Sequence, residues 1–519
     1  MKPSFIDIRC VCFLFLLLPL GALSQERNSL PFSLTGNIRS DILFPEKDAV
    51  IGAKAYEEIA LTNSYASLNM VSKYVDAGTR FAYLDHPLPG FEPDFAGWGL
   101  PYLYVSGKYK KAQLTIGDFY EQFGSGLIFR TYEERNLGID NSLRGARLLY
   151  APYQGIHLKA LGGKQRRYWE HNNGYVWGMD MELDINQWVK KMEESNTFLM
   201  FGSSFVSKHE ADEIILISAS ERLRLPRNVG AFDMRTRLQK GNYTFLAEYA
   251  IKANDPSKDN QYSYRNGYAI LLSGSYSQSG LGILLQAKRS DNMSFRSKRS
   301  QLLNSSFINH LPAFTMQHTY ALAALYPYAT QPNGEWAFQG SLAYGFKRTI
   351  VKLNASHIRG LNKERYYQDI NINIDRRFTK DFRMNLMYMN QYFNQFVIQG
   401  HGNIIKSNIF IAEGKYQINK KLSLRSELQY LNTKEDEGDW FCGLMEVSLL
   451  PYFMFTVSDI YNAGATDTHY YKAQVTYTWK AHFMQVGYGR TKAGYDCSGG
   501  VCREVPASKG LMLSYNYNF

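Results

Sequence analysis

At the carboxyl end of the chain, Leu511, Leu513, Tyr515, Tyr517 and Phe519 take every second position, with Met512, Ser514, Asn516 and Asn518 between them. A period of two gives a strand one apolar face and one polar face. The pattern recurs. Met179, Met181, Leu183 and Ile185 alternate with Asp180, Glu182, Asp184 and Asn186, and Phe232, Met234 and Leu238 alternate with Asp233, Arg235, Arg237 and Gln239. Leu422, Leu424, Leu428 and Tyr430 alternate with Ser423, Arg425, Glu427 and Gln429, and Tyr471, Ala473, Val475, Tyr477 and Trp479 with Lys472, Gln474, Thr476 and Thr478. Charges on the second face are costly in the dry core of a sandwich and natural on the wall of a wet lumen. Asp180, Glu182, Asp184, Asp233, Arg235 and Arg237 are therefore expected to face a lumen.

Turn-forming residues divide these runs. Short turns are expected near Lys110-Lys111, Ala151 to Gly155, Lys240-Gly241, Ser279-Gly280, Thr379 to Asp381, Asn419 to Lys421, Leu450-Pro451 and Lys480-Ala481. Longer connections fall near residues 45–60, 86–99, 121–141, 209–228, 253–263, 291–333, 394–404 and 492–507. Short and long alternate, as periplasmic turns and extracellular loops do in membrane barrels. The expected fold class is all-β: a large antiparallel transmembrane β-barrel of about 24 strands, within a range of about 22 to 26. Gln187 to Ser195 reads as one helical turn on the short-turn side.

The start of the chain sets the compartment. Lys2 and Arg9, the apolar run Val11 to Leu20 and the small residues Gly21 to Ser24 read as a secretory signal peptide over residues 1–24, leaving 25–519 for the barrel. Cys10 and Cys12 precede or lie within the apolar run, where no lipid attachment is expected. The first strand pattern, Pro31 to Phe44, follows so closely that no N-terminal plug domain is expected. Aromatic residues make up 15% of the chain, yet mean hydropathy is negative. After the leader no apolar run reaches the roughly 18 residues a membrane helix needs, whereas barrel strands show lipid only every second residue. Loss of two cations and one anion with the leader takes the formal charge from +11 to +10. Lys and Arg are dispersed rather than clustered. That argues against nucleic acid and for a polar lumen or contact with acidic lipopolysaccharide.

A barrel this wide needs something to narrow it. One candidate is Gly117 to Tyr150, where Glu121, Glu133, Glu134 and Asp140 lie beside Arg130, Arg135, Arg144 and Arg147, with glycines at 117, 124, 126, 138 and 145. These charges either line a constriction or brace the wall. The other is the longest connection, 291–333, basic at first and then apolar through Leu302-Leu303, Phe307-Ile308, Leu311-Pro312, Phe314 and Tyr320 to Tyr328. It folds into the mouth as a lid, docks a protein partner, or packs on itself at the rim. Cys497 and Cys502 form a candidate loop disulfide in an exported protein, and Cys442 inside a strand pattern reads as a small apolar residue. No His-x-Ser pair of an outer-membrane phospholipase and no Asp-Asp pair of an omptin-like protease is present, so no enzyme is expected. Asp85-His86 and Asp467-x-His469 lie near loops without such a partner. Nothing calls for a cofactor or a metal.

The stretch Gln122 to Pro152, QFGSGLIFRTYEERNLGIDNSLRGARLLYAP, together with the leader and the aromatic closing strand, resembles an uncharacterised family of Bacteroidota outer-membrane β-barrel proteins known only as a domain of unknown function. The closing strand also resembles those that the barrel-assembly machinery reads as an address. Membership implies a multi-pass barrel in the cell outer membrane, in contact with its lipid and lipopolysaccharide, and supplies no site residues. The expected function is a porin-like, TonB-independent channel for a polar or anionic solute. The alternative is a scaffold subunit of an export or surface-assembly complex.

Overall fold

The computed structural model describes residues 31–211, 213–216, 222–302 and 304–519, so the expected leader lies outside the described residues. Twenty-four strands, from Phe32–Pro45 to Ser508–Asn518, each pair antiparallel with their sequence neighbours, and the first and last pair with each other to close a barrel. A two-residue strand, Glu170–His171, hangs from Ile156–Arg167 as a flap. Closure is the physical solution for a sheet in hydrocarbon, because it leaves no edge groups unbonded. The ladder runs to the last residue. Phe519 exchanges both backbone hydrogen bonds with Gly36, at 2.9 and 3.0 Å.

The outward rows are apolar and exposed, as in Met179, Met181, Phe232, Met234, Leu428 and Val475. All eight expected short turns and all eight longer connections are present. The helical turn expected at Gln187 to Ser195 is present on the short-turn side, and the structure adds short turns at 73–74 and 347–348 and small outer loops at 168–174, 361–364, 433–439 and 463–467. Those loops are so short that their residues read as turns or strand ends. The 185–196 connection holds a 3-10 turn, Ile185–Gln187, and a helix, Lys190–Glu194.

Inside, the lumen is wet at one end only. Along Asn228–Lys240 the inward residues Val229, Ala231, Asp233 and Arg235 are buried, while Arg237 and Gln239 are exposed. Along Arg365–Arg377 the sequence is Tyr367, Asp369 and Asn371 buried, then Asn373 and Asp375 half-buried, then Arg377 exposed. Ile404–Gln417 repeats it, from buried Ile405 to exposed Lys415. Asp180, Asp233 and Arg235, expected to face a wet lumen, point inward but are buried. The long-loop half of the lumen is filled, and the filling comes from two connections rather than from a separate domain.

Where the first of these turns inward, Gly117, Gly145 and Gly163 form one row across three adjacent strands. A Cβ at Gly145 would lie 2.0 Å from the Gly162 carbonyl oxygen, so only glycine allows this approach. Gly145→Ala should cost about 1–3 kcal/mol of barrel stability through forced backbone shifts, read as a lower temperature for loss of the compact band in heat-modifiable electrophoresis.

Candidate functional site

Residues 120–131 leave strand Ala112–Phe119 and enter the barrel. Phe123, Leu127, Ile128 and Phe129 are all fully buried, held in a tight hairpin by Phe123 N to Phe129 O (3.1 Å) and Gly126 N to Phe123 O (2.9 Å). The tip rests on charge. Ser125 N donates to both Glu248 carboxylate oxygens, at 3.3 and 3.0 Å. Beside Glu248, Arg235 donates to Asp180 (2.5 Å), Glu182 (2.8 Å), Asp233 (3.0 Å) and Ser204 Oγ (2.7 Å). One guanidinium thus ties three strands together beneath the hairpin. Asp180, Asp233 and Arg235 lie under protein; Asp184 pairs with His157 at 3.3 Å, and Arg237 faces the open half.

The second connection, 292–333, crosses the barrel on top of the first. Arg130 N donates to Ile308 O (2.8 Å), His310 N to Gly126 O (2.9 Å), and Asn309 Nδ2 to Leu127 O (3.0 Å). Asn141 and Gln165 both donate to Phe307 O, at 2.9 and 2.6 Å. Further along, His318 lies 3.2 Å from Asp369, Tyr320 donates to Glu413 (2.8 Å), Leu322 N to Gln429 (3.0 Å), and Gln391 to Tyr326 O (3.1 Å). These partners sit on four successive strands, Arg365–Arg377 to Leu422–Asn432, three to six strands along the ring from the one the loop leaves. Phe295, Ile308, Leu311, Phe314, Leu322, Tyr326 and Tyr328 join the first hairpin and wall residues such as Val206, Met389, Ile409 and Trp440 in one apolar core. The greasy half of 291–333 therefore packs mostly inward, with Leu302 left exposed.

Three lysines anchor the first half of the loop, and sequence reasoning missed them. Lys208 donates to Arg296 O (2.7 Å), Lys252 to Ser294 O, and Lys288 to Pro312 O (2.6 Å). Each is buried. Lys208 is neutralised by Asp255 at 2.8 Å and Lys288 by Glu335 at 2.7 Å. The faint signal was a lone lysine on the inward register near the long-loop end of three strands, where a lumen lysine looks the same.

The charged candidates of 117–150 are nearly all paired within the wall. Glu121 binds Arg147 (3.2 Å) and Lys159 (3.0 Å); Glu133 binds Arg80 (2.7 Å) and Arg135 (2.7 Å). Glu134 caps Asn136 N, Arg130 stacks on Tyr132 (4.5 Å), and Arg135 on Tyr65 (4.7 Å). Asp140 is clasped by Arg80, Arg166 and the Tyr120 hydroxyl. Burial raises its carboxyl, but Arg166 and Arg80 outweigh that and hold it below the usual carboxylate range. Arg144 is a correction. It shares its register with Ala146, Leu148 and Tyr150, an exposed outward row, and binds Asp118 at 2.8 and 2.9 Å on the outside of the barrel. A step of one residue in a strand decides the face, and the charge-dense sequence hid it.

Over the mouth, a Cys497–Cys502 disulfide closes the hairpin of Gly494–Ser498 and Val501–Val505. The hairpin is stitched to the plug by Thr330 N to Gly500 O (2.9 Å) and Asn304 to Cys502 O (2.8 Å), above a cavity of about 280 Å³ that His310 helps to line. Among the described residues no group of three or more His, Cys, Asp or Glu side chains is placed to hold a metal ion.

A family model described as a family of unknown function, DUF6029, matches residues 6–519. The chain belongs to that family. No curated protein matches this DUF6029 member. Among solved structures it is similar to the P pilus usher (PapC) translocation pore, at 9% identity and a TM-score of 0.48, covering 94% of this chain and 99% of that one. It is also similar to the siderophore receptor PirA from Pseudomonas aeruginosa (9%, 0.41, 94% and 80%) and to Acinetobacter baumannii OccAB3 (10%, 0.37, 94% and 98%). Similarity at this level says nothing about activity.

Two outcomes test the plug of this DUF6029 barrel. Lys288→Met leaves the Glu335 carboxylate buried without its cation, a cost of about 3–5 kcal/mol, and should make 292–333 the first site cut by a protease added to the folded barrel. Burial, with the Arg130 and Lys288 charges adding to it, pushes the His310 imidazole down to about 3. The unfolded segment takes up its proton near pH ~6.5, so plug stability is complete above that pH and falls as pH drops toward 3. Protection of 292–333 from protease should fall with it in the native chain, and less so in His310→Gln.

Proposed function

We propose that this chain is an outer-membrane β-barrel channel, independent of TonB, that rests closed by residues 120–142 and 292–333 and passes a polar or anionic solute when they move. The gradient of inward exposure carries this: a filled outer half above an open, solvated inner half. The open half is basic. Arg237, Lys352 and Arg377 are exposed on inward or turn-proximal positions there without a carboxylate partner among the described residues, while Arg383 pairs with Asp375 at 2.5 Å and Lys415 with Glu413 at 2.6 Å. A basic vestibule raises the local concentration of anions through its field and sets preference without chemistry. The long loops then lie outside the cell and the short turns in the periplasm.

One observation favours a second function, a scaffold barrel of an export or surface-assembly complex that never opens. The plug and wall share a single apolar core, which costs far more to separate than a surface loop.

Planar-bilayer recording separates the two. The native barrel should be silent or pass brief openings, and deletion of Leu302 to Tyr328 should give stable, large, anion-preferring conductance. Combined Arg237→Gln, Lys352→Gln and Arg377→Gln changes in the deleted form should abolish the anion preference. Silence from a deleted barrel that still migrates as a folded species would reject the channel and favour the scaffold.

A further inference from the structure

Three arginines stand in one row on the outside of the wall near the long-loop end. Arg289 pairs in register with Trp336, Trp336 with Arg359, and Arg359 with Arg365, across four consecutive strands. The register shift after Ile358 keeps Arg365 on the outer face, where its guanidinium lies 4.6 Å over Tyr392. Arg289 lies between two rings, 4.4 Å from Tyr268 and 5.2 Å from Trp336. Trp336 stacks in turn on outward Phe338 at 6.0 Å, which places the row at the upper edge of the apolar band.

Among the described residues none of the three arginines makes an ion pair with a carboxylate, whereas Arg80, Arg147, Arg235 and Arg383 each do. Arg359 and Arg365 face each other directly, an arrangement that is destabilising for like charges unless an anion lies between them. Aromatic rings hold the Arg289 and Arg365 guanidinium planes fixed, so their donors are presented rather than free to swing away. A planar fork of donors at the boundary of an apolar surface matches an anionic oxygen cluster attached to acyl chains.

We propose that Arg289, Arg359 and Arg365, framed by Tyr268, Trp336 and Tyr392, form a binding site for the phosphate of an outer-leaflet lipid, whose acyl chains lie along the apolar wall below. The charge complementarity selects phosphate, and the position on the lipid-facing wall selects a lipid over a soluble anion. The orientation rests on the outer-membrane assignment above, but not on the barrel's being a channel.

The test is native mass spectrometry of the full folded barrel in detergent, titrated with diphosphorylated lipid A, with the same lipid after enzymatic dephosphorylation, or with inorganic phosphate. The wild-type chain should bind the phosphorylated lipid at least about tenfold more tightly than the Arg289→Gln, Arg359→Gln, Arg365→Gln variant, as expected for loss of charge-assisted bonds. Arg348→Gln, at the opposite end of the barrel, should bind as wild type does. Dephosphorylated lipid and inorganic phosphate should bind weakly to every form. If the triple variant does not fold, Arg289→Gln and Arg365→Gln singly should each weaken binding. Equal binding by wild type and the variants, or no loss on dephosphorylation, would overturn the site. A silent deleted barrel with intact phosphate selectivity would reject the channel alone.

Discussion

A closed ring of 24 strands leaves no open sheet edge, yet it encloses more space than inward side chains can fill. That mismatch shapes the rest of the molecule. Water can occupy the surplus, or the chain can fill it, and this chain divides the space between the two. The outer half receives two connections with their own apolar residues, and the inner half keeps exposed polar and basic side chains.

Apolar burial alone would not say where the two connections sit. Register comes from buried polar groups, which are costly unless each finds its partner. Glu248 can accept from Ser125 N only when the 120–131 hairpin is fully seated, and Lys208, Lys252 and Lys288 each reach a particular carbonyl of the second loop. The first hairpin then supplies the floor for the second, through Ile308 and His310. The order of packing is wall, hairpin, loop and disulfide-closed cap. Opening would have to proceed from the cap inward.

The barrel itself was legible from alternation and connection length because both are local properties of the chain. Phe232 and Asp233 differ by one position and face lipid and interior respectively, which a period of two states directly. What lies above Asp233 is not local. A strand that faces a wet lumen and one that faces a plug carry the same alternation, so burial of Arg235 and exposure of Arg237 could not be told apart in the sequence. The apolar run from Leu302 to Tyr328 did indicate a loop with something to bury, without saying against what. In 117–150 the density of charge was visible, but the bend at Gly117, the hairpin and the return strand set the faces, and Arg144 ended outside the barrel. Arg289 lies seventy residues before Arg359, and only the strand register, with the shift after Ile358, brings 289, 359 and 365 into one row.

The central claim is that both connections are integral parts of the folded interior. Hydrogen–deuterium exchange on the folded barrel tests it most directly. The amides of Phe123, Arg130, Ile308, His310 and Leu322 donate to partners inside the barrel. They should exchange on the slow timescale of the strand amides. Exchange as fast as that of the small outer loop at 463–467 would contradict the account and return 292–333 to the surface.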